Sequence, residues 1–445
     1  MKKITYKLNK PFFLLIVHIA LIILIISILK YSTNYLYSVN DNQKAKEKET
    51  NTLVPKDNSN IDDLDKESKK LLDNFIKISK IIEQINVKDL DQDMALELKK
   101  KISNLLNEAS NISSNEEQKK YLSSLSNDIL KGKFISSNLK WMEMRKNKVD
   151  IILEPETKSN KIKIFIFLNN VKKTEQVNQY IQNIDKFLEN LESGKRQISI
   201  NPSVLPSINV YSMILPLKLN RYILIKPESK EYKEKIGYKL IILENVMQSY
   251  YKQILKPIAQ KVLTKKDIAL VDFESYFCHV VLHRISHFLG PVIVDNKPNL
   301  TYIYESLGNY FDFIEEIKAD TLAIHNFPVL IKQKEEKKEN NIYITYLIVL
   351  LEKLRNEPEK ETNKPYLVQF NYLLKNGGIV FNINNKKLLF NIKKMKNSIK
   401  ELALKVIDIE NRGSIKNAEI LINSYGSIPN ELKEIKKILK NLTKL

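Results

Sequence analysis

The chain has one cysteine in 445 residues, Cys278, which excludes an internal disulfide and any cysteine-based zinc cluster. Glycine is scarce at nine, and no glycine-rich loop that could cradle a phosphate occurs. No Ser/His/Asp set and no base-stacking motif points to another enzyme class. Acidic residues are the minority charge, 52 against 72 lysines and arginines, for a net charge of +20. The lysines are spread along the whole chain and mixed with glutamate, so no nucleic-acid partner is expected; such a surface suits contact with anionic lipid. At 43% hydrophobic and 28% charged, the composition is that of a folded protein, with enough length for one large domain or two ordinary ones.

One long apolar run is present. Residues 11–29, PFFLLIVHIALIILIISIL, carry no formal charge, and at about 1.5 Å per residue they cover roughly 28 Å, close to a bilayer's hydrocarbon thickness. No small-residue cleavage pattern follows, which predicts an uncleaved signal anchor. Lys2, Lys3, Lys7 and Lys10 precede the run and only Lys30 closely follows it. The positive-inside rule then predicts a single-pass cell-membrane protein with a cytoplasmic N-terminus and an extracytoplasmic main domain. His18, inside the run, reads as a tolerated neutral residue. Residues 38–62 are polar and lack periodicity, as a flexible tether does. The predicted organisation is a stub and transmembrane helix over 1–37, a tether over 38–62 and a folded domain over 63–445.

Within that domain, Leu71, Phe75, Ile78, Ile82 and Ile85 recur at helical spacing. Leu98–Leu106 and Tyr121–Leu130 follow the same pattern. Lys161–Leu168 alternates as a strand does, and Ile208–Leu217 is a second extended segment. Helical patterns return at Lys239–Leu263, Phe273–Leu289, Tyr310–Phe327, Tyr343–Arg355, Leu388–Ile409 and Ile415–Asn423, while Lys332–Asn340 is a charged run expected in a solvated loop or helix end. The predicted fold class is mainly α with a smaller β component, an α+β arrangement.

The chemistry centres on HVVLHRISHFLGP, residues 279–291. His283 and His287 are four apart, so a helix stacks them on one face and can aim both imidazoles at one Zn²⁺. His279 extends the stripe by a turn but is too far from His287 to share an ion with it, about 12 Å along the axis. Taken alone, this spacing is also that of ordinary surface or core histidines. A third ligand could come from FDFIEEIKADTLAIHNF, residues 311–327, which offers Glu315, Glu316 and Asp320 on a second predicted helix. A His₂Glu zinc site needs one such carboxylate, leaving Glu315 and Asp320 as candidates to orient the imidazoles. A solvated acidic helix face is the other reading of the same residues.

The pair HRISHFLGP and EEIKAD resembles the signature of the dipeptidyl peptidase III family of zinc metallopeptidases, in its shorter bacterial form. Ser136–Thr157, Gly237–Leu263, Val368–Gly378 and Asn411–Pro429 resemble further landmarks of that family, in the right order. The resemblance implies a two-lobed metallopeptidase-like domain with a zinc-helix region over 273–327 and zinc on His283, His287 and Glu316. It also exposes three departures. The family's water-activating glutamate falls on Arg284, its transition-state histidine on Thr362, and its Leu-Pro-Asn-Asp substrate segment on Leu215-Pro216-Leu217-Lys218.

Arginine stays protonated at any workable pH, so Arg284 cannot accept a proton from water. Glu274 and Glu305 are the other carboxylates considered for that role. Two readings of the metal stand side by side. In one, Arg284 pairs with Glu315 or Glu316 and replaces the ion's charge; in the other, zinc stays on the three ligands as a structural or peptide-binding centre. The leading functional expectation is a membrane-anchored pseudo-metallopeptidase that binds a peptide or protein. An active zinc exopeptidase with unorthodox proton transfer is the first alternative and a structural envelope protein the second; the sequence leaves the oligomeric state open.

Overall fold

The structure, a computed structural model, describes residues 61–87, 90–144, 146–156, 161–189, 207–215, 221–226, 238–291, 293–294, 301–330 and 336–442. The expected membrane span, nearly all of the tether, and Pro216–Lys218 lie outside them. No helix among the described residues is long and apolar enough to cross a membrane.

Four helices come first: α1 (Lys66–Val87), α2 (Gln92–Ile112), α3 (Glu116–Lys131) and α4 (Ile135–Glu143). Their starts follow from side chains that satisfy free backbone N–H groups, as where Asp91 accepts from Met94 and Asn115 from Gln118. A five-stranded sheet is then laid down by β1 (Val149–Pro155), β2 (Ile162–Asn169), β3 (Ser207–Leu215), β4 (Ile223–Lys226) and β5 (Lys239–Leu243). Its order is β1-β2-β3-β5-β4, with β3 and β5 parallel and the other pairs antiparallel. Helices α5 (Val171–Gln182) and α6 (Ile184–Glu189) follow β2.

Both faces of the sheet are covered, and strand alternation divides the apolar residues between two cores. Tyr211, Met213, Ile241 and Leu243 pack with α1–α4, whereas Ile208, Val210, Leu240 and Ile242 pack with the helices that follow. This explains one correction to the sequence reading. KLIIL, the start of the predicted helix over Lys239–Leu263, is the interior strand β5, because a short run buried on both faces carries no period that separates strand from helix. The helix begins at Glu244. It runs as α7 (Glu244–Tyr250), a π-helical turn (Tyr251–Leu255) and α8 (Lys256–Val262).

The second core is built from α9 (Phe273–Ser286), α10 (Ile303–Leu307), α11 (Phe311–Leu330), α12 (Glu336–Leu354), α13 (Lys364–Lys375), α14 (Ile392–Arg412), α15 (Ile415–Tyr425) and α16 (Asn430–Leu439). A hairpin of β6 (Ile379–Asn382) and β7 (Lys387–Phe390) precedes α14, so Leu388–Phe390 is strand and not the helix start expected there. The architecture is mainly helical with a smaller sheet, as the periodicities predict. Helices α9 and α11 pack against each other at the centre of this core and carry the histidines and the acidic run.

Candidate metal centre

Helix α9 starts where Asp272 accepts from the Ser275 N–H and hydroxyl, at 2.8 and 2.9 Å, and is steadied by Asn341, which donates to Asp272 at 2.7 Å. It ends at His287, whose N–H still bonds the His283 carbonyl at 3.3 Å. The chain then turns at Gly290, with φ at +112°, a region L side chains rarely adopt. A Cβ there would meet Lys318 Nζ at 3.2 Å and a Glu410 oxygen at 3.3 Å. The Gly-Pro that closes the motif is thus the sharp exit of α9 over a buried charge pair.

The imidazoles of His283 and His287 face each other, Nε2 to Nε2, at 3.1 Å. Glu316 on α11 completes a trio, its oxygens 3.8 Å from His283 Nε2 and 3.9 Å from His287 Nε2. All three ligand atoms lie within 4.8 Å of one another. The outward nitrogens are each turned to a carboxylate: His283 Nδ1 to Asp320 at 2.8 Å and His287 Nδ1 to Glu315 at 3.1 Å. Asp320 also meets His279 Nε2 at 3.2 Å and accepts from Gln369 at 3.1 Å; Tyr346 donates to Gln369 in turn. His279, His283 and Asp320 form a second, overlapping group of possible ligands. Asp320 serves better as the hydrogen-bond acceptor of both rings, since its two oxygens are already taken.

Burial opposes charge on Asp320, but the neighbouring His283 and His279 outweigh it and hold the carboxyl well below the ordinary range. Burial, aided by the charges of His283, Arg284 and Lys318, pushes His287 well below the ordinary histidine value, so it is neutral. Each carboxylate takes the Nδ1 side of its ring, which leaves both Nε2 atoms turned toward Glu316. The two Nε2 atoms stand 3.1 Å apart. At Zn–N distances of about 2.0–2.1 Å, tetrahedral ligation sets two nitrogens about 3.3 Å apart. The donor set therefore fits Zn²⁺.

Arg284 lies one residue beyond His283, half-buried, with its Nε buried and without a hydrogen-bond partner. The expected pairing of Arg284 with Glu315 is not what forms. Lys318, one turn along α11, donates to Glu315 at 2.6 Å and pairs with Glu410 of α14 at 3.4 Å. Nor does any ion pair join Arg284 to Glu316 among the described residues. The guanidinium acts electrostatically on His287 and on the partly buried Tyr366 of α13, whose hydroxyl is pushed well above its ordinary value by burial and by Glu316.

The remaining sequence candidates are placed elsewhere. Glu274 is nine residues before His283 and pairs with Lys173 at 3.0 Å. Glu305 accepts from the Tyr302 N–H at 3.4 Å and the Tyr304 hydroxyl at 3.2 Å, at the start of α10. Thr362 is exposed on a 3₁₀ turn (Glu361–Asn363) before α13. Leu215 ends β3 and Pro216 lies outside the described residues. The sequence reading missed Gln369, Tyr346, Lys318 and Glu410. A lysine inside the acidic run of an otherwise apolar helix was the available signal for Lys318; the others carry no local one.

No family model matches this sequence. It is 27% identical over 353 residues to Nudix hydrolase 3 of Arabidopsis thaliana, a match that takes in 75% of this chain and 45% of that protein. The chain thus spans less than half the length of that relative. The structure is similar to that of dipeptidyl peptidase III from Caldithrix abyssi, with a TM-score of 0.73 and 20% identity, covering 87% of this chain and 94% of the other. The enzyme from Corallococcus sp. strain EGB aligns with a TM-score of 0.58 and 21% identity over 78% of this chain and 67% of the other. The chain has the dipeptidyl peptidase III fold.

Proposed function

We propose that this chain, built on the dipeptidyl peptidase III fold, is a membrane-anchored zinc-metallopeptidase-like protein whose hydrolytic step is lost or strongly impaired and whose cleft binds a peptide or protein. The observation that carries the reading is a mismatch. The groups that would hold and orient a metal are assembled, while the residue that would move the proton is a permanent cation.

His283, His287 and Glu316 are the residues that would hold zinc, with Asp320 and Glu315 fixing the two rings. Bound there, zinc would lower the pKa of a water and polarise a peptide carbonyl. The chain must then supply a base within hydrogen-bond reach of that water and a donor for the developing oxyanion. Arg284 cannot be the base. The two alternative carboxylates are engaged away from the trio, Glu274 by Lys173 and Glu305 by the start of α10. Thr362 is exposed and stands where the resemblance places a histidine. General acid–base help is typically worth 10²–10⁴ in rate, and its loss alone lowers turnover by about that factor.

The anchor is proposed from residues 11–29 and places the folded domain outside the cytoplasm. The test is zinc content by mass spectrometry together with a dipeptidyl-substrate assay. About one zinc per chain without chelator-sensitive turnover is the expected result. Turnover at ordinary peptidase rates that a chelator abolishes would overturn the loss of hydrolysis.

A further inference from the structure

We propose that Arg284 makes this centre a receptor for a free carboxylate, the α-carboxylate of a short peptide, held between the guanidinium and a metal on His283, His287 and Glu316. The inference rests on the metal reading above and adds the chemical class of the ligand.

A half-buried cation with no anion beside it is an unfinished interaction. Arg284 has neither an ion pair nor a hydrogen bond among the described residues, and its Nε is shut away from solvent. Desolvating even part of a guanidinium without a partner is unfavourable, and a carboxylate is the group that offsets it. The carboxylates within reach are committed. Glu315 takes Lys318 and His287, Asp320 takes two histidines and Gln369, and Glu316 faces the two Nε2 atoms. No carboxylate among the described residues pairs with Arg284, which leaves that role to a ligand.

Position argues for the same ligand. Arg284 follows His283 by one residue and precedes His287 by three, so its side chain leaves α9 beside the ligand row. A guanidinium offers two parallel N–H donors at the spacing of a carboxylate's oxygens, which an ammonium does not. A neutral peptide amide satisfies neither the fork nor the metal's charge. Arg284 and a divalent cation repel each other when the site is otherwise empty, and a carboxylate between them removes that repulsion. Metal and carboxylate should therefore tighten each other's binding by the same factor.

The experiment is calorimetric titration of the full chain with the dipeptide Ala-Phe and with Ala-Phe amide, each with equimolar zinc and with a chelator. Zinc affinity is measured alongside by competition with and without the dipeptide. With zinc, the free carboxylate should bind at least about tenfold tighter than the amide, and the dipeptide should tighten zinc about tenfold. Arg284→Gln should erase both effects with an unchanged melting temperature, and Arg284→Lys should keep part of them. Equal affinity for the two peptides, binding of neither at millimolar concentration, or a preference that survives in Arg284→Gln would overturn the proposal. Should the chain take no zinc yet keep an Arg284-dependent preference for the carboxylate, the metal reading falls and the carboxylate site stands. Zinc binding without that preference has the opposite meaning.

Discussion

Lys318 lies on the buried side of α11 between two carboxyl groups, 2.6 Å from Glu315 and 3.4 Å from Glu410. Through Glu315 it is one hydrogen bond away from His287. The charge that steadies one ring of the centre is thus set by a lysine that never touches it and by a glutamate from a helix about ninety residues further along the chain. Burial works against the charge on Lys318, and its carboxylate neighbours, Glu315 foremost, outweigh it and hold it above the ordinary lysine range.

Breaking this arrangement at the cation should be costly. Lys318→Met leaves Glu315 buried without its counter-charge, a loss of about 3–5 kcal/mol by analogy with other severed buried pairs. Urea denaturation of the two proteins checks it. A loss under about 1 kcal/mol, within the scatter of ordinary substitutions, would show that Glu315 is neutralised by some other group.

Glu410 should behave differently, and in a way that depends on pH. Burial pushes its carboxyl well above the ordinary range, ahead of the opposing pull of Lys318. A group whose folded-state pKa is raised contributes stability that is full in acid, below its unfolded value, and fades as pH rises through the folded value. Glu410→Gln, which mimics the protonated form, should therefore cost little at pH 5 and become the more stable protein relative to wild type at pH 9. Denaturation curves at the two pH values decide the sign; a Gln variant that loses ground as pH rises would mean that Glu410 is the ionised partner of Lys318.

The hydrogen bonds behind the rings make a separate prediction. Glu315→Gln and Asp320→Asn each replace a charged acceptor with a neutral amide at His287 Nδ1 and His283 Nδ1. Substitutions at such positions typically weaken metal binding about 10–100-fold. Competition with a chromogenic chelator measures this directly. Zinc affinity unchanged in both variants would mean that the ion, if bound, uses a different donor set.

How much of this was legible in the sequence depends on the range of the interaction. The i, i+4 relation of His283 and His287 is written into one helical turn, and the Glu315, Glu316 and Asp320 cluster into the next helix. Each can be read locally because helix geometry fixes the face. That both helices bring these faces to one point is a tertiary fact; periodicity does not encode it. The strand over Lys239–Leu243 was hidden for a related reason: burial on both faces erases the alternation that marks a strand at a surface. Gln369 and Glu410 reach the centre from α13 and α14. Nothing beside them in the sequence distinguishes a buried partner from a solvated polar residue.

Gly290 joins backbone geometry to this charge cluster. Its φ of +112° penalises any L side chain, and an added Cβ would press on Lys318 Nζ at 3.2 Å and Glu410 at 3.3 Å. Gly290→Ala should cost about 1–3 kcal/mol from the backbone alone. Because Lys318 is what would have to move, the variant should lose zinc affinity as well. A folded variant that is destabilised yet binds zinc as wild type does would separate the turn from the centre.

Arg284→Glu is the substitution that asks the most of the structure. It places a carboxylate one residue after His283, where the family resembled here carries its base, and removes a cation that repels the metal. Two effects should follow with different sizes. Zinc binding should tighten, since a repulsive neighbour becomes an attractive one within a few ångströms. Hydrolysis should rise less than the 10²–10⁴ that a base can supply, because proton transfer and oxyanion stabilisation act as a unit and Thr362 still offers no imidazole. The double variant Arg284→Glu, Thr362→His should then exceed the product of the two single effects. Chelator-sensitive release of a chromophore from a dipeptidyl substrate reads all four proteins on one scale. Tighter zinc with no turnover even in the double variant would place the defect elsewhere, in the segment beyond Leu215 where the family's two polar substrate-binding positions are Leu217 and Lys218.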